Sequence, residues 1–195
     1  MPAEFTTWIY DCDLASPTPD WYLNDSEGTR EIRESIKQKW TSDLELKAAH
    51  DLATLRGNLD LTLADMPGGR GHDADWQGIP TPTRAAMLEA CDGYIVICKQ
   101  SDQVDPDDVY ADWHKALEEY HLEDRIVARI VSSGPEKDFT VSSLGRDEGG
   151  IFTAAITGLD RNKDRDTVIR CMTAQLGPLI QYLSDRRGVR AAEGK

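Results

Sequence analysis

Residues 93–98 read GYIVIC, five apolar side chains in a row behind a glycine. A short, unbroken apolar run of this kind is expected of a parallel strand buried on both faces. Similar strands are predicted at 5–10 (FTTWIY), 59–65 (LDLTLAD), 125–131 (RIVARIV) and 150–157 (GIFTAAIT), with a short one at 139–142. Helical spacing fills the gaps between them. Ile32, Ile36 and Trp40 recur at i, i+4, i+8, behind Ser26 or Thr29 as N-cap. A second helix is predicted over 42–55, stopped by Gly57, and a short one over 83–91. Asp105-Pro106 opens the next, with Val109, Trp113, Leu117 and Tyr120 as its buried stripe. The last spans 166–183, with Ile169, Met172, Leu176, Leu179 and Leu183 inward and a kink at Pro178. Pro17 and Pro19 make 11–25 a loop. Strands alternating with helices imply an α/β fold, a three-layer sandwich with a mostly parallel sheet. The reading is one domain over 1–185 and a solvated tail over 186–195.

Composition narrows the function classes. The chain has 195 residues, 39% of them hydrophobic, a mean hydropathy of -0.52 and a net charge of -13. Its longest apolar run, residues 94–98, is far too short for a transmembrane helix. The N-terminus, MPAEFTTWIYDCD, lacks the basic and apolar regions of a signal peptide, so the expected location is cytoplasmic, away from membranes. The acid excess argues against duplex DNA as a partner. Cys12, Cys91, Cys98 and Cys171 form no C-x-x-C and sit among apolar neighbours, as free thiols do in a reducing compartment.

Residues 59–71, LDLTLADMPGGRG, carry the most chemistry. An apolar strand ends in Asp65, and a glycine-rich turn follows at once. P-loop NTPases present their second acidic motif in this way. An acid at the carboxyl end of such a strand can hold Mg²⁺ or its waters beside a triphosphate. The phosphate-cradling motif G-x-x-x-x-G-K-[ST] does not occur in the sequence. Gly68, Gly69, Arg70 and Gly71 are the candidate ligand-binding residues: glycines let successive amides turn toward an anion, and Arg70 can fork onto a phosphate. The alternative for this stretch is a plain loop with a solvated arginine. Asp65 and His72 are the candidate catalytic residues, His72 as general base. Asp11 and Asp13, at the exit of the first strand and near Asp20, could join Asp65 in a carboxylate cluster for Mg²⁺ or Mn²⁺. A polar loop in a chain with 35 acids is the favoured alternative, since chance alone gives such clusters. Arg30, Arg33 and Lys37 share a helical face, interleaved with Glu27, Glu31 and Glu34, so they read either as an anion-binding stripe or as ordinary helical pairing. His50, His114 and His121 are scattered.

The order of these features is similar to a known family. It comprises Asp20-Trp21, Arg33-Glu34 through Lys39-Trp40, Ala64-Asp65-Met66-Pro67-Gly68-Gly69, the strand within 91–98, Asp112-Trp113, and 149–161 ending in Gly158-Leu159-Asp160-Arg161. Together they resemble the AAA-like, P-loop-derived domain fused to the ring-nuclease module in some CRISPR-associated proteins. That family accompanies type III CRISPR systems, antiviral defences that signal with cyclic oligoadenylates. The resemblance covers about 5–161. The family's domain opens with a strand and glycine-rich loop ahead of what is here 5–10, and this sequence contains neither these nor the ring-nuclease module. The resemblance therefore implies a P-loop-NTPase-like fold lacking the Walker A strand and loop. It makes Asp65 a relic as far as autonomous ATP hydrolysis goes.

Three functions follow as expectations. The first is a CRISPR-associated accessory protein with a degenerate nucleotide site, binding a nucleotide or cyclic oligoadenylate through 68–72. The second is a non-enzymatic interaction module, whose exposed sheet edge would take a second copy or a protein partner. The third is a metal-dependent phosphohydrolase or nuclease built on Asp11, Asp13, Asp65 and His72.

Overall fold

The computed structural model describes residues 6–15, 30–38, 41–66, 82–100, 105–134 and 140–158, together with 177, 179 and 181. It is a mixed α/β structure with two sheets. Internal contacts group the chain into two compact units, Met1–Asp92 and Gly93–Lys195.

The first unit contains β1 (Thr7–Asp11), α1 (Arg30–Ile36), α2 (Ser42–Asn58), β2 (Leu61–Asp65) and α3 (Pro82–Glu89). β1 and β2 pair in parallel, with Ile9 opposite Leu63 and Asp11 opposite Asp65. Their starts are tied by Asp60, whose Oδ2 accepts from the Thr6 N–H at 3.0 Å and the Thr6 hydroxyl at 2.9 Å. Side chains alternate along each strand, so the register assigns each to a face. One face carries Tyr10, Cys12, Ala64 and Met66, packed with Ala48 and Leu52 of α2 and Met87 of α3. The other carries Ile9, 73% exposed, beside Leu63, 43% exposed.

α2 starts at the N-cap Thr41, whose hydroxyl accepts from the Leu44 N–H. It continues through Gly57, contrary to the expected stop there. The last turn is held without a glycine cap: the Leu59 N–H donates to the Leu55 carbonyl at 2.9 Å, and the Asn58 side chain donates to the Thr54 carbonyl at 2.7 Å. α2 and α3 are clamped by Glu45, which is buried. It accepts from Arg84 Nε at 3.0 Å and from the Thr83 hydroxyl.

The second unit contains β3 (Tyr94–Lys99), α4 (Pro106–Glu118), a 3₁₀ turn (Glu123–Arg125), β4 (Ile126–Ser132), β5 (Thr140–Arg146) and β6 (Phe152–Thr157). The strand order is β3-β4-β6-β5, with β5 antiparallel to β6 and the other pairs parallel. Gly93 precedes β3 where a Cβ would meet Val127 Cγ1 at 3.0 Å, so the close approach of β4 favours glycine. Ala128, Ile130, Phe152, Ala154, Ile156 and Leu179 form the core, with Ile95 and Val141 against it. α4 begins as expected: the Asp105 side chain accepts from the Asp107 N–H at 2.8 Å, with Pro106 in the first turn. Arg129 of β4 reaches Asp107 of α4 and lies 4.9 Å from the centre of the Tyr110 ring.

Burial of β3 differs from expectation. Tyr94, Val96 and Cys98 are buried, but Ile97 is 62% exposed. β3 is the outermost strand of its sheet, so the core reaches Ile130 in register beside it and not Ile97 itself. Among the described residues no helix is long and apolar enough to cross a membrane. The expected elements at 166–183 and the tail lie outside the described residues, apart from Gly177, Leu179 and Gln181, which are helical.

Candidate functional site

Parallel strands present their carboxyl ends on one side, and there an open α/β sheet binds ligands. β1 ends in Asp11 and β2 in Asp65, and the register sets the two directly opposite each other on the same face. The chain then turns tightly. The Cys12 N–H donates to the Asp65 carbonyl at 2.8 Å, and the Asp13 N–H donates to Asp11 Oδ1 at 2.9 Å. The first bond locks the two strand ends together. The second is an Asx turn that orients the Asp11 carboxylate. Gln38 secures the exit loop from the far side: its N–H donates to the Ala15 carbonyl at 2.9 Å and its side chain to the Leu14 carbonyl at 3.1 Å.

Of the residues expected to form the site, Asp11 and Asp65 are brought together and Asp13 adjoins them. Gly68, Gly69, Arg70, Gly71, His72 and Asp20 lie outside the described residues. The described residues contain no group of three or more His, Cys, Asp or Glu side chains able to hold a metal ion. In the basic stripe, Lys37 pairs with Glu34 at 2.6 Å, an ordinary i,i+3 contact. His50, His114 and His121 are exposed.

Beneath the acidic rim lies a network the sequence reading missed. The Tyr10 hydroxyl donates to Asp51 Oδ2 at 2.7 Å, and Lys47 Nζ donates to the same oxygen. Burial, reinforced by Asp51, pushes the Tyr10 phenol up, while Lys47 and then Tyr10 hold the Asp51 carboxyl below the usual range. The i,i+4 spacing of Lys47 and Asp51 was legible as a helical pair. That a strand tyrosine would join it was not.

Cys12 is buried next to Cys91. Burial first, and then the charges of Cys91, Asp11 and Asp65, push its thiol up to about 12. Burial also raises the Cys98 thiol. Thiolates are the reactive form. Of the three described cysteines, half-buried Cys91 should therefore be alkylated first in the native protein at pH 8, with Cys98 slower and Cys12 slower by at least about a hundredfold. Peptide mapping by mass spectrometry at timed quenches checks this; equal rates at Cys12 and Cys91 would contradict the buried placement.

In comparison with known proteins, no family model matches this chain, and a search of curated proteins finds no match.

Proposed function

We propose that the chain is an accessory protein of the CRISPR-associated kind with a P-loop-NTPase-like three-layer fold. In this reading it binds a nucleotide or cyclic oligoadenylate at the carboxyl ends of β1 and β2. The observation that supports this reading best is the in-register pairing of Asp11 with Asp65 at those ends. Two carboxylates side by side repel each other when ionised, and a divalent cation relieves that repulsion. Mg²⁺ or Mn²⁺ would be held by Asp11 and Asp65, directly or through water, and would supply positive charge for a phosphate. The sequence Gly68-Gly69-Arg70-Gly71-His72 follows directly after β2, Met66 and Pro67, and in this reading its amides and guanidinium would bind the same phosphate.

The test is a thermal-shift series with ATP, AMP and cyclic tetra- and hexa-adenylate, each with and without Mg²⁺ or Mn²⁺. A ligand at a hundredfold excess over its dissociation constant stabilises by about 2.7 kcal/mol. For a chain of this size that moves the midpoint by several degrees. Asp65→Asn should remove the metal-dependent part of the shift, and Arg70→Ala the nucleotide-dependent part. No shift with any ligand overturns the proposal.

A second reading, the interaction module, is favoured by a different observation. Ile9 and Leu63 are neighbours on a sheet face and both are exposed. An apolar pair on an open sheet face offers a surface that another chain could cover. An absence of ligand shifts combined with a mass that rises with concentration in light scattering would favour this reading over the first.

A further inference from the structure

We propose that the open face of the β1–β2 pair is a docking surface for an amphipathic helix of a protein partner, one that carries Lys or Arg at one end of its apolar stripe. The proposal rests on the second reading above, in which this face meets another chain, and it names the kind of chain.

Period-two alternation puts Ile9 and Asp11 of β1 on this face, together with Leu61, Leu63 and Asp65 of β2. The opposite face is the one packed on α2 and α3. Parallel strands are ordinarily covered by helices on both faces, because their crossover connections lie there. Here Ile9 and Leu63 are exposed and Leu61 is half-buried. The face has the side chains of a covered sheet and stands open.

Length and charge select the occupant. Each strand has five residues, which at about 3.3 Å apiece span about 17 Å. A helix rising about 1.5 Å per residue matches that span with about eleven residues, or three turns. Three turns are enough for an apolar stripe at i, i+3, i+4 and i+7. The stripe would lie over Ile9, Leu61 and Leu63, and its end would reach Asp11 and Asp65, which stand opposite each other at the carboxyl ends of the strands. A neutral or acidic end laid there would strip water from the two carboxylates and return nothing. A second copy of the chain would bring the same acid pair and a net charge of -13. A Lys or Arg end brings the complementary charge, and its alkyl stem extends the apolar contact beside Leu63.

The test is an amide-shift titration of the ¹⁵N-labelled full chain with three synthetic helical peptides of about eleven residues. One carries a leucine stripe ending in two lysines. The second has glutamates in place of the lysines. The third keeps the lysines and has serines in place of the leucines. Saturable shifts along β1 and β2 are expected with the first peptide. Binding of the second should be weaker by about tenfold, the size of a few part-exposed charge contacts, and the third should not bind. Asp11→Asn combined with Asp65→Asn should erase the preference for lysine over glutamate. Ile9→Ser should weaken the lysine peptide while leaving the denaturation midpoint of the free protein almost unchanged, since that side chain is exposed. Equal binding of the lysine and glutamate peptides overturns the proposed partner and leaves the second reading standing. So does an absence of binding by every peptide together with a mass that rises with concentration in light scattering, which assigns the face to a second copy. An absence of binding with a constant mass overturns the proposal and the second reading together. Should the variants lose their dispersed spectra, the comparison of the three peptides on the unmodified protein decides alone.

Discussion

Replacing Glu45 with alanine should cost about 3–5 kcal/mol of stability, the usual result of removing one partner from a buried ion pair. Glu45 is 4% exposed and is the only buried charged side chain among the described residues. Its oxygens accept from Arg84 Nε and from the Thr83 hydroxyl, which joins α2 to α3 over the core of the first unit. Without it, Arg84 keeps its charge in a site with little water. The paired replacement Glu45→Met with Arg84→Met should be far milder, because it removes the desolvation penalty along with the attraction. Denaturant midpoints for the two variants measure the difference. Hydrogen exchange adds location: the single variant should loosen amides in Ser42–Asn58 and Pro82–Glu89 first. A single-variant loss below about 1 kcal/mol would mean that the clamp is no more than a surface pair.

Phe152→Ala should cost a comparable amount, about 3–5 kcal/mol. Phe152 is buried at the start of β6, in register with Ala128 of β4. Its ring fills space that Ala128 and Ala154 are too small to fill, so the site cannot collapse around the truncated side chain. Phe152→Leu keeps most of the volume and should lose less than about half as much. Urea denaturation of both variants checks the ratio, with exchange protection of β3, β4 and β6 as the local reading. Equal losses for the two would show that ring shape, and not volume, governs this core.

Much of this architecture was legible residue by residue. The apolar runs around Val96, Ile130 and Ile156 all proved to be strands, because continuous β-branched runs have few other uses in a chain this polar. Asp105-Pro106 named the start of α4 to the residue, since an acid cap and a first-turn proline are both local devices. What depended on distant neighbours was harder to read. β5 extends to Arg146, beyond the expected 139–142, because it pairs through its backbone with β6 while its side chains stay largely exposed. Its register slips between Ser142 and Gly145, with Ser143 at φ +53°, and no apolar alternation records such a strand. In the same way Glu45 looked like one acid among many, and only the packing of α3 makes it structural. For the site, that Asp65 ends its strand was visible, and Asp11 was expected at the exit of the first strand, in a loop; that Asp11 is the last residue of β1 and stands opposite Asp65 depends on pairing and register. A one-residue slip would have put them on opposite faces.

The open face of β1 and β2 also bears on how the protein behaves as a colloid. Ile9 and Leu63 face outward on a chain whose net charge is -13. Mutual repulsion between copies acts over a Debye length of about 8 Å at physiological salt and about 3 Å at 1 M. The apolar attraction of the face is not screened and is strengthened by sulfate and phosphate. In dilute buffer, long-range charge is therefore expected to oppose association through this short-range apolar face. Salt, the usual remedy for a protein that clumps through opposite charges, would here take away the force that keeps the molecules apart.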